Sequence, residues 1–268
     1  YTLVDTDQLK REAARIYILP NIFTAGNLFF GFVAIIRCIQ AHYSADSSAE
    51  SNLLYSHAVW AIFAAFLCDA LDGRVARIGG RESLFGKEFD SIADMVSFGI
   101  APALMVFFLI LSPTEDYPFF RNMGWLIGFI YLLCAGVRLA RFNVLTHPLL
   151  SSPEDSQSDN FIGLPVPVCA GFIASLVLVL IEAQLNHWTI LLPVLMLWIA
   201  YLMVSNIEYP SFKKLEWHTE LKPVTFVFII IMIVALLFFF SQYGLAIVFL
   251  LYILYGPYQF LIKKLKKR

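Results

Sequence analysis

The chain predicts an all-α fold, a polytopic transmembrane helix bundle of about eight spans. Three observations predict it. The 268 residues are 59% hydrophobic and 15% charged, with a mean hydropathy of +0.73, whereas soluble domains carry about 45–50% apolar and about 25% charged residues. The apolar residues fall in runs long enough to cross a bilayer, which takes about 20 residues of helix. Lys and Arg gather at every second junction between those runs, the pattern that marks cytoplasmic loops.

Taken in order, residues 1–19 interleave Leu3, Leu9, Ala13, Ile16 and Tyr17 with Lys10, Arg11 and Arg15. This suits an amphipathic segment lying on the inner leaflet and is too polar for the apolar core of a signal peptide. The expected spans are 20–43, 56–79, 87–112, 122–146, 162–184, 188–206, 222–241 and 244–262. They divide into a six-helix core, 20–206, and two further helices with a basic tail, 207–268. Arg74, Arg77, Arg81 and Lys87 surround the second junction, Arg138 and Arg141 end span four, and Lys213, Lys214 and Lys222 precede span seven. The alternate junctions carry Asp46 and Glu50, then Glu115 and Asp116. Both termini are therefore expected to face the cytoplasm. The polar run 151–160 is a loop, and Pro165 and Pro167 start span five, where a missing N–H costs nothing. Cys38, Cys68, Cys134 and Cys169 stand singly in apolar runs and are expected as buried reduced thiols. His42, His57, His147, His187 and His218 sit at loops or boundaries. A net charge of −1 gives no support for a nucleic-acid partner.

The chemistry concentrates at one junction. Span two ends in CDALDGRVARIGG and span three opens in GKEFDSIADMVSFG, bringing Asp69, Asp72, Asp90 and Asp94 close along the chain. Spacings of i, i+3 and i, i+4 put each pair on one helical face, and a short turn makes the two helices antiparallel neighbours. The pairs are expected to face each other. Asp69 lies roughly 16 Å into its span, where a lone charge costs about 2.5–3.5 kcal/mol. Divalent cations would offset that cost and the mutual repulsion. Carboxylate oxygen suits hard Mg²⁺ or Mn²⁺, and four positions without His or Cys do not suit zinc. Pairing of the acids with Arg74, Arg77, Arg81 and Lys87 is the alternative, and Arg77 is also placed to meet a substrate phosphate.

The string Asp69-x₂-Asp72-Gly73-x₂-Ala76-Arg77-x₈-Gly86-x₃-Asp90-x₃-Asp94 resembles, at every specified position, the signature of the CDP-alcohol phosphatidyltransferase family. PNIFTAGNLFFGF (20–32), FDSIADMVSFGIAPA (89–103), RLARFN (138–143) and GLPVP (163–167) resemble its bacterial-type phosphatidylserine-synthase branch. The last two spans carry no such motif and are expected to add only membrane residence. The resemblance implies an integral enzyme of the bacterial inner membrane with a cytoplasmic active site, acting as a homodimer. It implies two divalent cations, Mg²⁺ or Mn²⁺, held by Asp69, Asp72 and Asp90. Asp94 would be the base and a ligand or neighbour of the metal. Gly73, Ala76 and Gly86, with Arg77, would make room for and contact the CDP-lipid.

The reaction so implied moves the phosphatidyl group of CDP-diacylglycerol to the hydroxyl of L-serine and releases CMP. Arg138 and Arg141 are candidates for the serine carboxylate, which a guanidinium can grip with two parallel bonds. Asn27, Ser97 and Asn143 lie near the same membrane level and are further candidates, each also able to serve as a helix–helix hydrogen bond. A sister enzyme that uses glycerol 3-phosphate or inositol phosphate is the alternative acceptor class. A metal-ion transporter is the alternative of another kind, but it would spread carboxylates along a crossing path rather than gather them at one end.

Overall fold

The computed structural model describes residues 18–44, 48–78, 84–111, 124–145, 160–184, 188, 190–210 and 243–266. Among these are seven helices: α1 Ile18–Tyr43, α2 Ser48–Ile78, α3 Leu84–Leu111, α4 Gly124–Leu145, α5 Val166–Glu182, α6 Leu191–Val204 and α7 Tyr243–Lys266. Five of them, α1 to α4 and α7, are long and apolar enough to cross a membrane, and α5 and α6 are shorter apolar helices. The fold is an all-α polytopic bundle, as expected. The helix α2 begins earlier than its apolar run, at Ser48 rather than 56, because polar residues continue a helix once it has left the hydrocarbon. The expected span 222–241 and the segment 1–17 lie outside the described residues.

α5 is the central rod. It is apolar all round, and such a helix is stable only when it is enclosed. Cys169, Ala170, Phe172, Ala174 and Val177 are buried along it, and α2, α3, α4, α6 and α7 all pack on it. α1 and α2 run together along most of their length. Large apolar side chains point outward, among them Phe29, Phe32, Leu67, Phe129 and Leu251, as lipid-facing positions require. The four cysteines are free; Cys38 and Cys169 are buried and Cys68 and Cys134 half-buried.

α3 departs from regular α geometry, which sequence periodicity did not anticipate. Met95–Ile100 and Phe107–Leu111 are π-helical. Pro102 explains the first stretch. It has no N–H to give the carbonyl four residues back, and the neighbouring Ala101 N–H reaches Val96 O, one residue further than in an α-helix. The carbonyl Pro102 cannot serve is that of Phe98, and the buried Tyr131 hydroxyl of α4 donates to it at 3.0 Å. The widened turn begins directly after Asp94.

A small clasp, also unanticipated, replaces the expected helical start of span five. β1 Asn160–Ile162 pairs antiparallel with β2 Glu208–Pro210, with Phe161 opposite Tyr209. Gly163 continues the clasp, its N–H donating to Ile207 O at 2.9 Å. It has φ +82, and a Cβ there would collide with Met203 O, so the position needs glycine on both counts. Pro165, extended at φ −62 and ψ 135, caps α5.

Candidate active site

The four aspartates sit where α2 and α3 face each other. One oxygen each from Asp69, Asp72 and Asp90 lies within 4.8 Å of the others. Asp72 and Asp90 stand at hydrogen-bonding distance from one another. Two carboxylates that close repel unless a proton or a cation lies between them. Asp90 Oδ1 is buried and has no hydrogen-bond donor among the described residues, and leaving such a group unsatisfied is costly. Three converging acids, one of which carries an unsatisfied buried oxygen, fit a hard divalent cation. The cluster can therefore hold a metal. Asp94, one turn along α3, is outside this trio and is buried with 7% exposure.

α1 braces both acidic helices. Thr24 Oγ1 donates to Asp72 Oδ2 at 2.9 Å, and Asn27 Nδ2 donates to Asp94 Oδ1 at 3.0 Å. The two braces are three residues apart, on one face of α1. Asp72 also accepts from the Gly73 N–H. Thr24 is not among the expected site residues, although it lies within the motif run 20–32; a lone Thr in an apolar helix carries no signal until its partner is known. Ser97 Oγ donates to Asn27 O at 2.8 Å and so closes α1 onto α3. The approach there is tight. A Cβ on Gly31 would collide with Ser97 Oγ and come within 2.7 Å of its Cα.

The expected acceptor residues separate. Arg138 is buried, 7% exposed, with its guanidinium 5.2 Å from the Phe142 ring centre and within electrostatic reach of Asp94 and Asp69. Arg141 instead donates to Asn206 Oδ1 at 2.7 Å and to Val204 O at 3.4 Å, tying α4 to the end of α6. Asn143 Nδ2 donates to Ser91 Oγ at 2.9 Å, between α4 and α3. Asn27 and Ser97 thus adjoin Asp94, while Asn143 and Arg141 hold helices together. Of the basic residues offered as structural partners for the acids, Arg74 is exposed, and Arg77, with Ala76, has no described side chain. Gly86 is half-buried at the first turn of α3.

A bundle of membrane-length helices around a carboxylate centre able to hold a cation defines an integral membrane protein with an acidic site among its helices. A family model described as CDP-alcohol phosphatidyltransferase matches residues 17–205. The chain belongs to that family and is a transferase. It is 34% identical over 257 residues, 94% of each chain, to the CDP-diacylglycerol–serine O-phosphatidyltransferase of Helicobacter pylori. It is 33% identical over 199 residues to the protein of the same name from Bacillus subtilis, covering 73% of this chain and 92% of that one. An archaetidylserine synthase of Methanothermobacter thermautotrophicus is 36% identical over 194 residues, 72% of this chain and 69% of that one.

Proposed function

We propose that the protein transfers the phosphatidyl group of CDP-diacylglycerol to L-serine, giving phosphatidylserine and CMP. The observation that carries the acceptor assignment is Arg138, the one buried guanidinium among the described residues, within electrostatic reach of Asp94 and Asp69. One buried cation suits the single carboxylate of an amino acid better than a dianionic phosphate, which would call for several. The relatives named above for serine support the same reading.

Asp69, Asp72 and Asp90 would hold the divalent cations, Mg²⁺ or Mn²⁺, two of them in the proposed mechanism. When bound, these would neutralise charge on the pyrophosphate and on the departing CMP. Asp94 is the proposed base. Asn27 occupies one of its oxygens and turns the carboxylate, leaving the other to take the serine hydroxyl proton. The serine oxygen then bonds to the phosphorus that carries diacylglycerol, and the bond from that phosphorus to CMP breaks. Gly73, Ala76, Arg77 and Gly86 would meet the CDP moiety, small residues letting it lie against helix backbone. Positioning contributes most to the rate in reactions of this kind. The basic junctions support an inner-membrane topology with both termini and the site on the cytoplasmic side. A homodimer, implied by resemblance, belongs to this proposal as well.

The test supplies purified protein with CDP-diacylglycerol, Mn²⁺ and, separately, serine, glycerol 3-phosphate or inositol phosphate. CMP release with serine alone is the expected result. Faster release with either phosphate would overturn the acceptor assignment and leave the family unchanged.

A further inference from the structure

Along α1 a buried row runs through Thr24, Asn27, Gly31, Ala34, Cys38 and Ala41, spaced three and four apart. Small residues in such a row let helices approach closely. Packing alone would be served at position 24 by valine, which has the same branched shape. The hydroxyl of Thr24 needs another reason. In an apolar helix a threonine hydroxyl commonly bonds the carbonyl four residues back. Here that carbonyl, Pro20 O, lies at 3.4 Å, while Asp72 Oδ2 of α2 lies at 2.9 Å. A hydroxyl has one hydrogen to give, and the shorter contact, to an acid, takes it. Both partners are buried.

The carboxylate so held belongs to the trio with oxygens within 4.8 Å of one another. Asp69 and Asp72 come from α2 and Asp90 from α3, so their separation depends on how two helices are held. α1 touches both. Thr24 grips α2 at Asp72. Three residues on, Asn27 O accepts from Ser97 Oγ of α3 at 2.8 Å. Gly31 keeps that approach close, since a Cβ there would collide with Ser97 Oγ. Asp72 also accepts from the Gly73 N–H. Two donors fix the plane of its carboxylate, which could otherwise turn about its side-chain torsions.

We infer that Thr24 is a positioning residue of the metal site, holding the Asp72 carboxylate in one orientation and thereby favouring Mg²⁺ over Ca²⁺. This rests on the proposal above that Asp72 is a metal ligand. Mg²⁺ demands near-ideal octahedral geometry, whereas Ca²⁺ accepts about six to eight oxygens in flexible arrangements and takes a carboxylate by one oxygen or by two. A ligand held in one orientation suits the exacting ion, and a ligand able to turn suits the tolerant one. Groups that orient a metal ligand through a hydrogen bond typically contribute about 10–100-fold to metal affinity.

Thr24→Val tests it, since the substitution removes the hydroxyl and keeps the branched shape. Kd values for Mg²⁺ and Ca²⁺ are measured on the intact purified protein, without substrates, from the rise of Tm with ion concentration. The expected result is a Mg²⁺ Kd raised about tenfold and a Ca²⁺ Kd changed by less than about threefold, so that the preference for Mg²⁺ falls. Thr24→Ser, which keeps the donor, is expected to bind both ions as the parent does. A residue that only packs would lower Tm equally with and without ion and leave both Kd values unchanged, and that result overturns the inference. An equal rise for both ions overturns it too, as does a serine variant that behaves like the valine one. Should the valine variant not fold, Thr24→Ala carries the same comparison. Asp72→Asn separates the two proposals. If it abolishes the response to Mg²⁺ and removal of the Thr24 hydroxyl leaves that response intact, the ligand assignment stands and Thr24 leaves the site. If Asp72→Asn responds to Mg²⁺ as the parent does, Asp72 is no ligand and both proposals are refuted.

Discussion

Arg138 and Arg141 are one turn apart on α4 and chemically identical, yet the packing gives them different work. Arg138 is buried within electrostatic reach of Asp94 and Asp69, and Arg141 is committed to the end of α6. Asp90 and Asp94 divide in the same way, one joining the trio with Asp69 and Asp72 and the other taking the Asn27 amide. That division suits a base held apart from the cation ligands. Asp94→Asn is expected to lower turnover by about 10²–10⁴-fold, the range for removing a general base, while binding of labelled CDP-diacylglycerol is retained. Near-normal turnover in that variant would end the base assignment.

Among the elements, α3 carries the clearest mark of compromise. It holds two of the site's carboxylates, then widens into a π turn to accommodate Pro102, and borrows the Tyr131 hydroxyl for the Phe98 carbonyl. Tyr131→Phe strips a buried carbonyl of that donor and is expected to destabilise the protein by about 1–3 kcal/mol. In a Pro102→Ala background, where residue 102 regains an N–H, the same substitution is expected to cost less. Thermal unfolding of the four proteins of this double-mutant cycle checks it, and equal costs in both backgrounds would disconnect Tyr131 from the proline. α1 has the complementary role. It contributes no acid but positions two of them through Thr24 and Asn27, and its Gly31 lets it approach α3 closely enough to do so.

At the scale of the whole molecule, the like charges at the α2–α3 face oppose folding, and a bound cation would reverse the sign of that contribution. Ligands that bind only the folded state raise its apparent stability. Removing divalent ions with a chelator is expected to abolish CMP release and lower Tm, and Mn²⁺ or Mg²⁺ to restore both. In Asp90→Ala the Tm response to Mn²⁺ is expected to disappear, a readout that does not depend on catalysis. A response equal to that of the parent would take Asp90 out of the metal site.

Much of this was legible along the chain. Membrane-length apolar runs, the spacing of Asp69, Asp72, Asp90 and Asp94, and the small residues between them depend on composition and short periods, which one strand of sequence displays in full. The family followed from the same local pattern. What only tertiary structure decided involves partners far apart: Thr24 on Asp72, Asn27 on Asp94, the parting of Arg138 from Arg141, the strand clasp, and the path of α7. The physical reason is that a helix announces its faces through its own repeat, whereas which side chain meets which across a bundle is set by how whole helices rotate and slide to pack, and no single helix encodes that.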